Sequence, residues 1–204
     1  MVKLLQMDTV PLFKMFLPKS RLNRSLRILT TTNAILIFIM GLFLPFYAVF
    51  VQKIGGSIAF AGFSWGLFQI VSGVLIFVMS SWEVRVKQKE LLVALGYFLR
   101  GLVFLSYAFM GSVTQLIFTQ IAWGVAAAIS MPAFDSAYAE HTSKSGSIAQ
   151  WGNWEGIAAV SAGVAALLGG VFIESLGFTP VFISMAIISV SLSVYLWFLP
   201  RNVI

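Results

Sequence analysis

The residues most able to do chemistry in this chain are charges set inside apolar sequence. Arg100 lies about nine residues into the run Leu91 to Met110, roughly 14 Å along a helix that rises 1.5 Å per residue. A guanidinium at that depth is either an anion-binding or coupling charge, or a structural cation. In the second case a carboxylate, backbone carbonyls or snorkelling to the interface would satisfy it. Glu155, about one turn into the run that opens at Trp151, is a natural partner for it. Glu155 is also suited to a helix N-terminus, where the macrodipole favours negative charge, or to work as a coupling charge itself. Glu83, Lys87, Lys89 and Asp135 border the apolar runs and can pair as a cytoplasmic gate. Glu140 is placed to join them, and Glu174 falls in an outer turn.

Enzymatic chemistry has no such footing. The chain has no cysteine and one histidine, His141, in a polar stretch with no second imidazole. No metal site and no cofactor are expected, and no Ser, His and acid spacing suggests a hydrolase. Gly55, Gly56 and Ser57 lack the following Lys-Ser/Thr of a phosphate loop and mark a turn. The expectation is a protein that is not an enzyme.

The elements that must position these charges are membrane helices. Of the 204 residues, 59% are hydrophobic and 10% are charged, against about 25% charged in soluble domains. The mean hydropathy is +0.95. Six long apolar runs stand out: Ile28 to Val51, Ile58 to Ser80, Leu91 to Met110, Val113 to Phe134, Trp151 to Ile173 and Thr179 to Leu199. Each approaches the ~20 residues that cross hydrocarbon as a helix. They lack period-2 alternation, so strands of a barrel are not expected. The fold class is therefore all-α, a polytopic membrane protein with six spans over residues 28–200, after a basic segment at 1–27.

Charge placement sets the orientation. The net charge is +6. Lys3, Lys14, Lys19, Arg21, Arg24, Arg27, Arg85, Lys87, Lys89, Lys144 and Arg201 all fall on one side if every run spans, and Lys53 falls opposite. By the positive-inside rule both termini are cytoplasmic, in a cell (inner) membrane. Trp82, Trp151, Trp154 and Trp197 fall at the same side, where interfacial rings are favoured. The bilayer, not nucleic acid, is the partner of this charge. The first 27 residues either lie on the inner leaflet or form a tail that sets topology.

The fifth run carries Gly156, Ala159, Gly163, Ala166 and Gly170 at spacings of three and four, which puts five small residues on one stripe. Close backbone approach through such residues is how helices associate in lipid, so this stripe is expected to press on a neighbour.

The stretch GVAALLGGVFIESLGFTPVFISMAI resembles the fifth helix, outer turn and sixth helix of a major facilitator superfamily half. Gly169, Gly170, Gly177, Phe178 and Phe182 carry the likeness. GLFLPFYAVF is similar to the family's first helix through Pro45, and GVAAAISMPAF to its fourth through Gly124 and Pro132. The resemblance covers about Leu29 to Pro200. It implies two three-helix repeats and a secondary transporter of small organic solutes working by alternating access, with a preference for hydrophobic solutes that rests on the amides and aromatics among the cavity positions it nominates. It nominates Asn33, Tyr47, Gln69, Gln115, Gln120 and Trp123 as cavity residues, because the family's first and fourth helices line the path.

The chain departs from the family in three places. The loop signature between helices two and three has Glu83 for its acid, Val84 for an arginine and Val86 for a glycine, with Lys87 and Lys89 keeping the basic end. Gln120 stands where many members carry an arginine tied to proton coupling. Members usually have about twelve helices in two six-helix halves. The expectation is therefore a half-size transporter acting as a homodimer. The alternatives are a non-transporting scaffold or assembly protein, or one half of a split or truncated transporter that needs a second six-helix half.

Overall fold

The computed structural model describes residues 22–200 apart from residue 84. Most of the basic segment 1–27, with Lys3, Lys14, Lys19 and Arg21, lies outside the described residues, as do Val84 and Arg201. The described chain is helical throughout: α1 (Arg24–Gly41), a 3-10 turn (Leu44–Phe46), α2 (Tyr47–Lys53), α3 (Ile58–Glu83), α4 (Lys89–Ala108), α5 (Val113–His141), α6 (Ser147–Leu176) and α7 (Phe178–Trp197). α1 with α2 makes the first of six spans long and apolar enough to cross a membrane, and α3 to α7 make the others.

Pro45 explains why the first span is broken. It carries no N–H to bond the carbonyl of Gly41, and its ring would clash with that carbonyl. α1 therefore stops at Gly41, and Leu44–Phe46 makes one tight turn before α2 resumes. The break turns backbone outward, and α6 receives it. A Cβ placed on Gly169 would stand 2.2 Å from the Leu42 carbonyl oxygen, and one on Gly41 would stand 2.9 Å from the Ala165 Cβ. Only small residues allow the two backbones to approach this closely.

The same device recurs at the other crossings. Gly96 of α4 sits against Ser130 of α5, Gly101 of α4 against Val190 of α7, and Gly124 of α5 against Val71 of α3. The main helix pairs are α4 with α7, α4 with α5, α3 with α5, and α1 with α6. Hydroxyls reinforce the α4–α7 pair: Ser189 Oγ donates to the Tyr97 carbonyl at 2.8 Å, and Ser193 Oγ to the Ala94 carbonyl at 2.7 Å. In hydrocarbon such bonds stand in for the hydrophobic drive that water would supply.

Two expectations are corrected. The fourth span does not end at Phe134 but runs on to His141, through Asp135 and Glu140. Ala133, Phe134, Ala137 and Tyr138 stay buried, and the Tyr138 hydroxyl donates to the Gln150 carbonyl at 2.8 Å. Packing thus carries the helix past the point where hydropathy falls. The second concerns the stripe on α6. Its inward face is Trp154, Ala165 and Gly169, and within this chain Gly156, Ala159 and Gly163 are exposed. A Cβ on Gly156 or Gly163 would meet nothing within 4 Å, whereas one on Gly170 would touch the Phe46 ring at 3.2 Å. The stripe therefore faces away from its own bundle except at Gly170 and the half-buried Ala166. Spacing alone found small residues; it could not tell which of two small-residue faces meets α1.

The basic ends converge as the charge pattern requires. Asn23 caps α1, accepting from the Leu26 N–H at 2.8 Å, and donates its amide to the His141 carbonyl at 2.9 Å. Lys89 pairs with Glu140 and also donates to Ser136 Oγ at 2.7 Å. At the other end Lys53 lies over the Phe178 ring, 5.4 Å from its centre. Trp82 and Trp197 are half exposed, but Trp154 is buried against Phe134 and Tyr138 and so serves packing, not the interface.

Gly169→Ala should destabilise the bundle by about 1–3 kcal/mol, the usual cost of overpacking. Gly163→Ala should stay within about 0.5 kcal/mol of the parent, as exposed positions do. Thermal unfolding of the two purified variants in one detergent checks the pair, and equal losses would contradict the packing described.

Candidate functional site

Three polar constellations lie among the helices, and they differ in what they expose. The first is buried. Gln120 donates its amide to the Tyr47 hydroxyl, and Tyr47 shares a 2.7 Å hydrogen bond with Ser64. The set links α5, α2 and α3. Beside it Trp123 is 1% exposed, ringed by Trp65, Phe68, Phe104 and Tyr107 at centroid separations of 5.1 to 6.0 Å. An aromatic cluster of Phe43, Phe50, Tyr107, Phe178 and Phe182 continues from it, with Phe43 and Phe182 only 4.7 Å apart. The sequence nominates Tyr47, Gln120 and Trp123 as cavity residues, yet all three are enclosed. The α5 face shared by Gln120 and Trp123 turns toward α3 and α4, and the ring of Trp123 packs against Trp65 and Phe68 of α3 and Phe104 and Tyr107 of α4.

The second constellation is at the basic end. Glu83 is 6% exposed, and neither carboxylate oxygen finds a hydrogen-bond partner among the described residues. With Ser80, Lys89, Pro132 and Ser136 it lines a cavity of about 290 Å³. Lys89 is committed to Ser136 and Glu140 on α5 rather than to Glu83. Lys87 is exposed. The candidate gate residues therefore do not form one cluster. Lys89 ties the start of α4 to the end of α5, Glu83 is buried beside the cavity, and Asp135 belongs elsewhere.

Asp135 belongs to the third, which opens between α1 and α5. Asn33 from α1, Arg100 from α4, Asp135 from α5 and Trp154 from α6 line one cavity of about 230 Å³. Tyr97, one turn before Arg100, and Ser130, one turn before Phe134, complete its polar wall. Arg100 is 6% exposed and its Nε has no hydrogen-bond partner among the described residues. The expected Arg100–Glu155 pair is not formed: among the described residues the only ion pair is Lys89 with Glu140. Glu155 is exposed and lies within electrostatic reach of Asp135. The third span thus reaches the space between the first and fourth. Tyr97, Ser130 and Trp154 were not nominated. The signal available was Tyr97 and Arg100 at i and i+3 in an otherwise apolar run.

The remaining nominations are placed apart. Gln69 on α3 is exposed, and so is Gln115, whose Oε1 accepts from the Gly111 N–H at 2.8 Å at the start of α5. His141 closes α5 with a ring nitrogen 2.8 Å from the Ala137 carbonyl. Among the described residues no three His, Cys, Asp or Glu side chains gather as metal ligands would.

A six-helix body with a polar cavity between its first and fourth spans can be compared with known families. The sequence profile of the Major Facilitator Superfamily matches residues 29–203. The chain belongs to the major facilitator superfamily. With six spans of membrane length, this superfamily member is a multi-pass membrane protein of a transporter family. No curated protein and no solved structure gave a significant match.

In this member, Trp123→Ala should cost about 3–5 kcal/mol, as removal of a large buried ring does, with Trp123→Phe costing less. Tyr47→Phe should cost about 1–3 kcal/mol by leaving the Gln120 amide unpaired, and adding Gln120→Leu should recover much of that loss. A thermal-stability cycle over the four proteins checks both.

Proposed function

We propose that the protein is a secondary transporter of small organic solutes that works as a dimer of six-helix bodies by alternating access. The observation that carries this reading is the cavity between α1 and α5, which is lined by a buried arginine. Intramembrane ionisable groups are costly and mark solute or ion paths.

Two thinly buried helices support a partner. α3 and α6 bury only 17% and 11% of their apolar windows, against 50 to 61% for the first, third and fourth spans. On α6 the exposed face includes Gly152, Gly156, Ala159 and Gly163. Small residues turned to lipid forfeit packing; against another helix they permit close contact. A second copy inserts with the same orientation, so a two-fold axis along the membrane normal would bring the two faces together. The helix pairings α1 with α6 and α5 with α3 exchange if spans one to three are swapped with four to six, and α4 with α7 maps onto itself. This supports two three-helix repeats.

The preference for hydrophobic solutes loses its footing, because Gln120 and Trp123, on which it leaned, are packed away. The helix ends that meet at Asn23 and Lys89 support the reading that both termini lie on the cytoplasmic side of a cell membrane.

The cysteine-free chain makes the tests direct. Gly163→Cys should cross-link to a dimer in native membranes under mild oxidation, and a product that stays monomeric would argue against self-association. Ser57→Cys should react with an impermeant maleimide from outside intact cells, and Lys144→Cys only after lysis; the reverse pattern would overturn the orientation. Purified protein in proteoliposomes should show counterflow of at least one class of small organic solute. A stable protein without flux for any class would favour the scaffold reading.

A further inference from the structure

The geometry points to a small zwitterion as the occupant of the Arg100 cavity, held with its acidic group on Arg100 and its ammonium group at Asp135. This rests on the transporter reading above and names its substrate class.

The argument begins with two charges that face the same space and do not pair. Arg100 is 6% exposed and has an unsatisfied Nε, while Asp135 is exposed at the rim. They line one cavity, and their charged atoms do not come within ion-pair distance. A guanidinium desolvated without a carboxylate is unfavourable unless something else satisfies it. The Arg100 fork is shaped for a planar acid group, which it can bind bidentately. The Asn33 amide faces the same cavity and can add a donor.

The mouth has the opposite character. Asp135 stands there with Glu155 within electrostatic reach. The Asp135 carboxylate, with Glu155 near it outside the lining, attracts a cation and repels a simple anion, while the buried Arg100 repels a simple cation. A molecule with both charges satisfies both ends at once. Between them the wall is Ile37, Met40, Phe134 and Trp154, which suits an apolar body. At about 230 Å³ the cavity is smaller than the ~300 Å³ lower bound of ordinary ligand pockets, which restricts the occupant to a small molecule.

The test is equilibrium binding to the protein in nanodiscs with matched probes. L-leucine carries both charges, 4-methylpentanoate only the acid and 3-methylbutylamine only the ammonium; γ-aminobutyrate and glycine betaine extend the zwitterion series. At least one zwitterion should bind tenfold or more tightly than its matched acid and amine. Arg100→Gln should reduce that zwitterion to the affinity of its matched amine, and Asp135→Asn to that of its matched acid. Asp135→Asn is an exposed, isosteric change, so it keeps the proposal falsifiable if Arg100→Gln fails to fold, and Arg100→Lys should retain part of the affinity. Equal binding of acid and zwitterion, equal binding of amine and zwitterion, or no binding across the series would each overturn the proposal. Flux of other solutes without zwitterion preference would sink this inference alone. Zwitterion binding without counterflow would leave the site and sink the transporter reading.

Discussion

The Leu42 carbonyl resting on Gly169 is the contact from which the rest of this bundle follows. Hydrocarbon gives helices no reason to associate beyond packing and hydrogen bonds. Where Pro45 interrupts the first span, the loosened backbone must meet something able to lie flush against it. Gly169 provides that, with Ala165 beneath Gly41. The seat fixes how α1 crosses α6 and directs Phe43, Tyr47 and Phe50 into the aromatic cluster shared with Tyr107, Phe178 and Phe182. One end of the first span is thus packed solid, and the cavity opens along its other part, from Asn33 to Met40.

That division separates two kinds of polar group. Tyr47, Gln120 and Ser64 hydrogen-bond to one another and hold three helices in register, although the Gln120 Oε1 has no partner among the described residues. Arg100 and Asp135 do not pair, and they share a space large enough to admit a small molecule. A network satisfied internally rigidifies; one left open is suited to a ligand. The α4–α7 pair stands behind Arg100 as a stiff support through Ser189 and Ser193, so the guanidinium is presented from a helix that its neighbours hold firmly.

The basic end works by a different logic. Lys89, pairing with Glu140 and donating to Ser136, ties the start of α4 to the end of α5. Glu83 stands apart beside a neighbouring cavity, its carboxylate buried without a partner among the described residues. The family's loop signature is reduced here to separate parts, with Val86 where a glycine is usual. What remains is one clasp between two spans and one buried acid, instead of a single charge lock.

Much of this was written in local composition. The length and apolarity of six runs determined the helices, because a chain in hydrocarbon must bond its own backbone. Charge placement determined which ends gather, and Pro45 determined where the first span breaks. Arg100 stood out because a charge inside an apolar run is costly wherever it lies. The facing of each helix was not determined locally. α6 offers small residues on two sides, and only the crossing with α1 decided that Ala165 and Gly169 are inside while Gly156 and Gly163 are out. Trp123 and Gln120 read equally well as cavity or core, and the ring-filled space between α3 and α4 made them core. Arg100 and Asp135 come from different helices, so only the tertiary structure could bring them to one cavity. Spacing along a helix specifies which residues share a face, and the neighbouring helices decide what that face meets.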